Sequence, residues 1–266
     1  MRLRRLLSGA VTAVALLGVS LVAPTSAAAQ EAPVHYVALG DSYSSGVGAG
    51  NYRSDSGTCR RSTRAYPELW AAANSPASFH FTACSGARTT DVTAGQLGPL
   101  SAETTLVTIS IGGNDAGFAD TMTVCVLQGT SACVNRVAQA NAYITETLPS
   151  RLDAVYTAIR DRAPNARVVV LGYPRMYQLN GTCLLGISEQ SRAAINGASD
   201  NLSEVISKRA ADHGFAYGDV RPTFTGHEIC SSASWLHSLT LPIENSYHPT
   251  AAGQAGGYHP VMAALS

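Results

Sequence analysis

Short apolar runs that alternate with helix-period segments narrow what this chain can become more than any other feature. Residues 35–39, 78–82, 105–111 and 167–172 are short, apolar-rich runs. Residues 64–73, 134–162, 188–213 and 251–265 read as helices. Tyr66, Leu69 and Trp70 share one helical face, as do Leu148, Leu152, Val155 and Ile159, and Ile195, Leu202, Val205 and Ile206. Such alternation predicts a parallel α/β sheet, because parallel strands need a crossover between them. The run at 167–172 is apolar without a break, the pattern of a strand covered on both faces. Residues 215–217 read as a short fifth strand and residues 219–247 as a loop region. Segment 134–162 is expected as one helix or two, with Pro149 as the breakpoint.

Three of these runs lead into small polar residues. The first is followed by Gly40-Asp41-Ser42-Tyr43-Ser44-Ser45-Gly46, the second by Cys84-Ser85-Gly86-Ala87, and the third by Gly112-Gly113-Asn114-Asp115. In open parallel sheets ligands bind beyond the carboxyl ends of the strands, so segments distant in sequence can meet on one rim. A serine in a turn commonly serves local backbone hydrogen bonds. Ser42 is a candidate nucleophile because the same rim offers what acyl transfer needs. Ser42 and Gly86 present backbone N–H groups and Asn114 a side-chain N–H, which together can form an oxyanion hole. Glycine at 86 lets the backbone approach a substrate closely, whereas an Asn after Gly-Gly is more commonly a turn cap.

The base for such a serine is expected to be a histidine. His35 and His80 fall in strands and His213 at a helix end, where it meets the dipole. His248 stands in Asn245-Ser246-Tyr247-His248-Pro249-Thr250, where Pro249 fixes the backbone and Thr250 can cap the last helix. No serine lies in G-x-S-x-G, so the nucleophile elbow of the α/β-hydrolases is absent.

Composition places the chain. Met1-Arg2-Leu3-Arg4-Arg5, an apolar run over residues 6–22 and an A-x-A pattern at Ala27 and Ala29 describe a secretory signal peptide, residues 1–29. A membrane anchor fits less well: the run is at the lower limit for a span and lacks a basic flank after it. Removing residues 1–29 takes away three arginines and no acid, so an initially balanced chain becomes slightly acidic. That balance argues against a nucleic-acid partner or an anionic membrane surface, and with no later segment long and apolar enough to span a bilayer, no stable membrane insertion is expected. The six cysteines are expected in disulfides, as befits an exported chain. Fifteen pairings are open. The sequential one, Cys59–Cys84, Cys125–Cys133 and Cys183–Cys230, is preferred because its loops are short or moderate. With no C-x-x-C pair, a zinc site is disfavoured.

Taken in order, Gly40-Asp41-Ser42-Tyr43-Ser44, Gly86, Gly112-Gly113-Asn114-Asp115 and Tyr247-His248-Pro249 resemble the four blocks of the SGNH (GDSL) hydrolases. With the leader, the cysteines and the length, the resemblance is greatest to the secreted lipases and phospholipase A1 enzymes of streptomycetes. It implies a three-layer α/β/α sandwich with a central parallel sheet, formed by residues 30–266 as a single domain. It also implies a shallow, solvent-facing site without a large lid. In it Ser42 is the nucleophile, His248 the base, and the Ser42 N–H, the Gly86 N–H and the Asn114 side chain the oxyanion hole. One departure matters. The family often has Asp three residues before the His, and here that residue is Asn245, which cannot supply the charge that favours imidazolium. Some members use the carbonyl two residues before the His, here Ser246. The expectation is a Ser42–His248 dyad with the Ser246 carbonyl holding the Nδ1 proton; Glu244 is the other candidate orienter. Asp41 and Asp115 are expected to bond turn N–H groups.

The implied activity is hydrolysis of fatty acyl esters, acylglycerols and also phospholipids, by a secreted monomer that uses no metal and no organic cofactor. Ala116, Gly117, Phe118, Ala119 and Met122 are apolar enough to line an acyl groove, or equally to form a core-facing helix. Two other functions are compatible: a carbohydrate acetyl esterase on the same fold, and a non-catalytic secreted binding protein.

Overall fold

The apolar runs form a five-stranded sheet. Its strands are β1 (His35–Ala38), β2 (Ser78–Phe81), β3 (Leu106–Ile109), β4 (Arg167–Leu171) and β5 (Ala216–Gly218). The order is β2-β1-β3-β4-β5, and every pairing is parallel, with Val37 opposite Val107 and Val107 opposite Val168. The structure is a computed structural model that describes residues 33–183 and 186–266. The segment read as a signal peptide, residues 1–29, lies outside the described residues. Pro33–Ser266 packs as one unit.

Between the strands run α1 (Ser42–Ser45), α2 (Tyr66–Asn74), α3 (Thr89–Asp91), α4 (Phe118–Leu127), α5 (Gly129–Glu146), α6 (Leu148–Arg162) and α7 (Glu189–Asp212), and after β5 come α8 (Arg221–Phe224) and α9 (His259–Leu265). Helices α2 and α9 cover one face of the sheet. There the Tyr36 ring meets Trp70 edge-on, centroids 5.2 Å apart, and its hydroxyl reaches Met262 Sδ at 3.8 Å. Helices α5, α6 and α7 pack together over the other face. Their inward residues include Leu148, Leu152, Val155 and Ile159 of α6 and Ile195, Leu202 and Ile206 of α7, all buried. The result is a three-layer α/β/α sandwich. Among the described residues no helix is long and apolar enough to cross a membrane.

Where the elements depart from the sequence reading, specific bonds explain it. The run 105–111 is a strand only to Ile109, because Ser110 leaves the ladder. Its N–H donates to Ser44 Oγ (3.0 Å) and its carbonyl accepts from Asp41 N (3.0 Å). Segment 134–162 is two helices meeting at Thr147, with Pro149 in the first turn of α6, where a missing N–H has no partner to lose. The first of the two begins earlier, at Gly129. At the C-terminal end the helix expected over 251–265 is present, but it carries a π turn, Gly253–Tyr258, before its last stretch at His259–Leu265. Pro260 cannot donate the i→i−4 bond that would tighten that junction.

The strand order reverses its direction of winding at β1. The crevice beyond the carboxyl ends of β1 and β3 is therefore the place where loops part and a ligand can sit. Disulfides join Cys59 to Cys84, Cys125 to Cys133 and Cys183 to Cys230. The first fastens the segment that precedes Gly86, and the second links the end of α4 to the start of α5.

Candidate active site

The crevice is built from the turn after β1. At Gly40 φ is +123°, and a Cβ there would lie 2.5 Å from the Ser110 carbonyl oxygen, so only glycine fits. Buried Gln96 holds Gly40 from both sides: Oε1 accepts from Gly40 N and Nε2 donates to Gly40 O, each at 2.8 Å. Asp41 caps α1. Its Oδ1 accepts from Tyr43 N (3.0 Å) and Ser110 Oγ (2.7 Å), and its Oδ2 accepts from Tyr173 OH. Burial raises the Asp41 carboxyl to about 6, and these donors limit the rise. None of its hydrogen bonds goes to His248. Ser42 opens α1 directly after this capped turn.

His248 comes from the far end of the chain. Its loop is paired with residues 235–237: His237 N donates to His248 O (2.9 Å), Tyr247 N to His237 O (3.0 Å) and Thr250 N to Trp235 O (2.8 Å). Tyr43 OH donates to Tyr247 O at 2.6 Å, tying this loop to α1. His248 Nε2 lies 2.7 Å from Ser42 Oγ, and Nδ1 lies 3.0 Å from the Ser246 carbonyl oxygen. A carbonyl only accepts, so Nδ1 carries the proton and the Nε2 lone pair faces the serine hydroxyl. Burial pushes the His248 imidazole down to about 4, the Ser246 carbonyl opposing that shift and His237 and Arg60 adding to it. At neutral pH the ring is uncharged, the form that can take a proton.

The two other candidate orienters point elsewhere. Asn245 Oδ1 accepts from Tyr52 OH (3.1 Å) and Arg60 Nη2 (3.0 Å). Glu244 pairs with Arg60 Nη1 at 3.0 Å. Both side chains anchor the His248 loop to the loop around Cys59, and neither makes a bond to the imidazole.

Gly86 and Asn114 border the same crevice as Ser42 and His248. Gly86 has φ +79°, which disfavours a side chain although open space surrounds the position. Among the described residues neither the Ser42 N–H nor the Gly86 N–H donates to any protein atom. Asn114 Nδ2 donates to Ala87 O at 3.0 Å, and an amide nitrogen has a second hydrogen to offer. Asp115, its carboxyl raised by burial, accepts from Thr89 N (3.0 Å) and Thr89 Oγ1 (2.6 Å). The loops that carry Gly86 and Asn114 are thereby bonded to each other.

Over this rim opens a cavity of about 620 Å³. Phe118, Met122, Val126 and Leu127 of α4 line one wall, and Leu239, Ile243 and Tyr247 another. Phe118 meets the Tyr247 ring edge-on at 6.4 Å. The segment after Asn114 is a helix and a cavity wall at once, because Met122 is buried in the core cluster and also borders the cavity. Among the described residues no three His, Cys, Asp or Glu side chains converge to hold a metal ion. The arrangement can deprotonate a hydroxyl, hold a developing oxyanion and shelter an apolar chain.

Two positioning groups escaped the sequence reading. Tyr173 follows β4 and reaches both sides of the crevice: its hydroxyl donates to Asp41 and accepts from Gly113 N at 3.3 Å. A rim position just past a strand is the same signal that singled out Ser42 and Asn114. Gln96, in contrast, carries no local pattern that foretells its hold on Gly40.

A family model described as the GDSL-like lipase/acylhydrolase family matches residues 38–255. A lipase from Streptomyces rimosus is 64% identical over 263 residues, covering 97% of this chain and 98% of that protein. The solved structure of an extracellular lipase from Streptomyces rimosus is 66% identical, with a TM-score of 0.87, and covers 88% of this chain and 100% of that one. The structure of phospholipase A1 from Streptomyces albidoflavus is 64% identical, with the same TM-score of 0.87 and the same coverage of both chains.

Proposed function

The chain belongs to the GDSL-like lipase/acylhydrolase family, and we propose that this carboxylic ester hydrolase cleaves fatty acyl esters through an acyl-enzyme on Ser42. One observation carries the reading. A chain of hydrogen bonds runs from Ser42 Oγ through His248 to the Ser246 carbonyl, at the foot of an apolar cavity and beside two backbone N–H groups without protein partners.

In the first half-reaction His248 Nε2 takes the Ser42 hydroxyl proton as Oγ bonds to the ester carbonyl carbon. The carbonyl oxygen becomes an oxyanion, received by the Ser42 N–H, the Gly86 N–H and the Asn114 amide. Such preorganised donors commonly supply the largest share of the rate enhancement. The tetrahedral intermediate collapses, the carbon–oxygen bond to the alcohol breaks, and the alcohol leaves with the proton from Nε2. Water then attacks the acyl carbon and gives a proton to Nε2; the carbon–Oγ bond breaks, Nε2 returns that proton to Ser42 Oγ, and the acid leaves. The Ser246 carbonyl keeps the proton on Nδ1 throughout. Every step uses the chain's own groups and water.

The apolar walls support acylglycerols and phospholipids as substrates, in keeping with the names of the similar proteins. All groups of the dyad and the oxyanion hole come from one chain, which supports action as a monomer. The leader pattern of residues 1–29, the disulfides and the similarity to an extracellular lipase support secretion. The slightly acidic balance of residues 30–266 supports a protein without a nucleic-acid partner.

The test is a series of p-nitrophenyl esters from acetate to palmitate, run together with a fluorophosphonate probe. Wild-type protein should prefer medium or long chains and label with the probe, while Ser42→Ala neither turns over nor labels. Activity confined to acetate would replace the lipase reading with an acetyl esterase. Labelling of Ser42→Ala equal to wild type would remove Ser42 from the mechanism.

A further inference from the structure

Among the described residues, large aliphatic side chains are exposed at Val126, Leu127, Leu179, Leu239, Leu241 and Ile243, from 37% at Val126 upward. All but Leu179 lie on two short segments. Val126 and Leu127 end α4, and Leu239, Leu241 and Ile243 lie on the loop that leads to His248. Four of these five line the cavity, so the apolar wall continues past the mouth and onto the surface on both sides. Leu241 lies between two lining residues without lining the cavity itself, and it is 85% exposed, the most of the set. Nothing inside the cavity accounts for it. Burying one such leucine in hydrocarbon is favourable by an amount that changes partitioning at least about tenfold.

Charge narrows what meets this rim. Neither α4 nor residues 239–243 contain a lysine or arginine, and none lines the cavity. The charged groups nearby are Asp120 on α4, the Arg60–Glu244 pair at 3.0 Å, and Arg136, which donates to Gly117 O at the start of α4 (3.3 Å) and stands off the rim itself. Polybasic segments are what draw proteins to anionic lipid surfaces. This rim has none.

Resting on the reading of the cavity as an acyl site, we propose that Val126, Leu127, Leu239, Leu241 and Ile243 form a docking rim that inserts into the surface of an uncharged or zwitterionic lipid aggregate. Docked in this way, the mouth opens directly onto the acyl layer, and a substrate chain passes from lipid to cavity wall without crossing water. Continuity between rim and cavity selects lipid as the occupant, and the missing basic residues select its headgroup charge.

The experiment measures co-flotation of the protein with vesicles of dialkyl-ether phosphatidylcholine, which has no ester to cleave. Wild-type protein should float with these vesicles, and Leu241→Ser should bind about tenfold more weakly. Both should hydrolyse soluble p-nitrophenyl butyrate equally, because Leu241 borders no catalytic group. Equal flotation of the two proteins would overturn the proposal. So would binding that requires added phosphatidylglycerol and is abolished by salt. A wild-type dimer in sedimentation that Leu241→Ser dissociates, with flotation unchanged, would make a second copy the occupant and also overturn it. Wild-type protein that floats yet leaves p-nitrophenyl butyrate intact would refute the esterase reading and leave the docking rim standing.

Discussion

Replacing Tyr173 with phenylalanine tests whether the crevice rests on the buried carboxylate of Asp41. The substitution removes one oxygen. Asp41 then loses its strongest donor, and Gly113 N loses an acceptor at 3.3 Å. Burial holds the Asp41 carboxyl at about 6 against an ordinary 3.8, a shift of about two units or about 3 kcal/mol borne by the folded state once the group ionises. Deleting a donor to a buried charged group adds about 1–3 kcal/mol. The sign of the pH dependence follows from the direction of the shift. A folded carboxyl raised above its unfolded value binds the extra proton in the native state, so the penalty is absent below the ordinary 3.8, builds as pH rises from there to about 6, and is complete above it. Tyr173→Phe raises that value further, so its added cost belongs above pH 6. Urea unfolding at pH 5 and pH 8 measures this directly. The expected difference between wild type and Tyr173→Phe is small at pH 5 and grows to about 1–3 kcal/mol at pH 8. Equal loss at both values would mean that the hydroxyl contributes packing alone and that Asp41 is not its partner.

Two further predictions concern the dyad. Because burial pushes His248 down to about 4, its neutral form persists well below the ordinary 6.5, and the acid limb of kcat/KM on a soluble ester should fall near pH 4; a limb near 6.5 would refute a buried neutral base. Asn245→Ala should change kcat/KM less than about tenfold while costing about 0.5–1.5 kcal/mol in thermal unfolding, since Asn245 bonds Tyr52 and Arg60 and not the imidazole. A loss of kcat far beyond that in folded Asn245→Ala would mean that the Ser246 carbonyl does not orient His248.

What the sequence reveals and what it conceals divides along the range of the interactions. Ser42, Gly86 and Asn114 can be sent to one rim from the sequence because each follows a strand end, and parallel strands share one polarity; His248 follows no strand and stands out only by the Pro249 and Thr250 after it. The join between α5 and α6 was legible because Pro149 marks it. The start of α4 was less so, because its cap is Gly117, in a left-handed conformation and with no capping side chain. Gln96 and Tyr173 act on Gly40 and Asp41 across 56 and 132 residues, and no local periodicity encodes such pairs. The partners of Asn245 are equally remote, which is why its residue type alone said what it cannot do and not what it does.

The hydrogen bond between His248 and Ser42 spans 206 positions. A growing or truncated polypeptide that stops before Tyr247 already holds the serine, Gly86 and Asn114, yet has no base. Its nucleophile turn also lacks its latches, since Tyr43 OH donates to Tyr247 O, Gln254 Nε2 donates to Tyr43 O and Gln254 Oε1 accepts from Tyr66 N. The Ser42–His248 pair therefore requires nearly the whole length of the chain to be present.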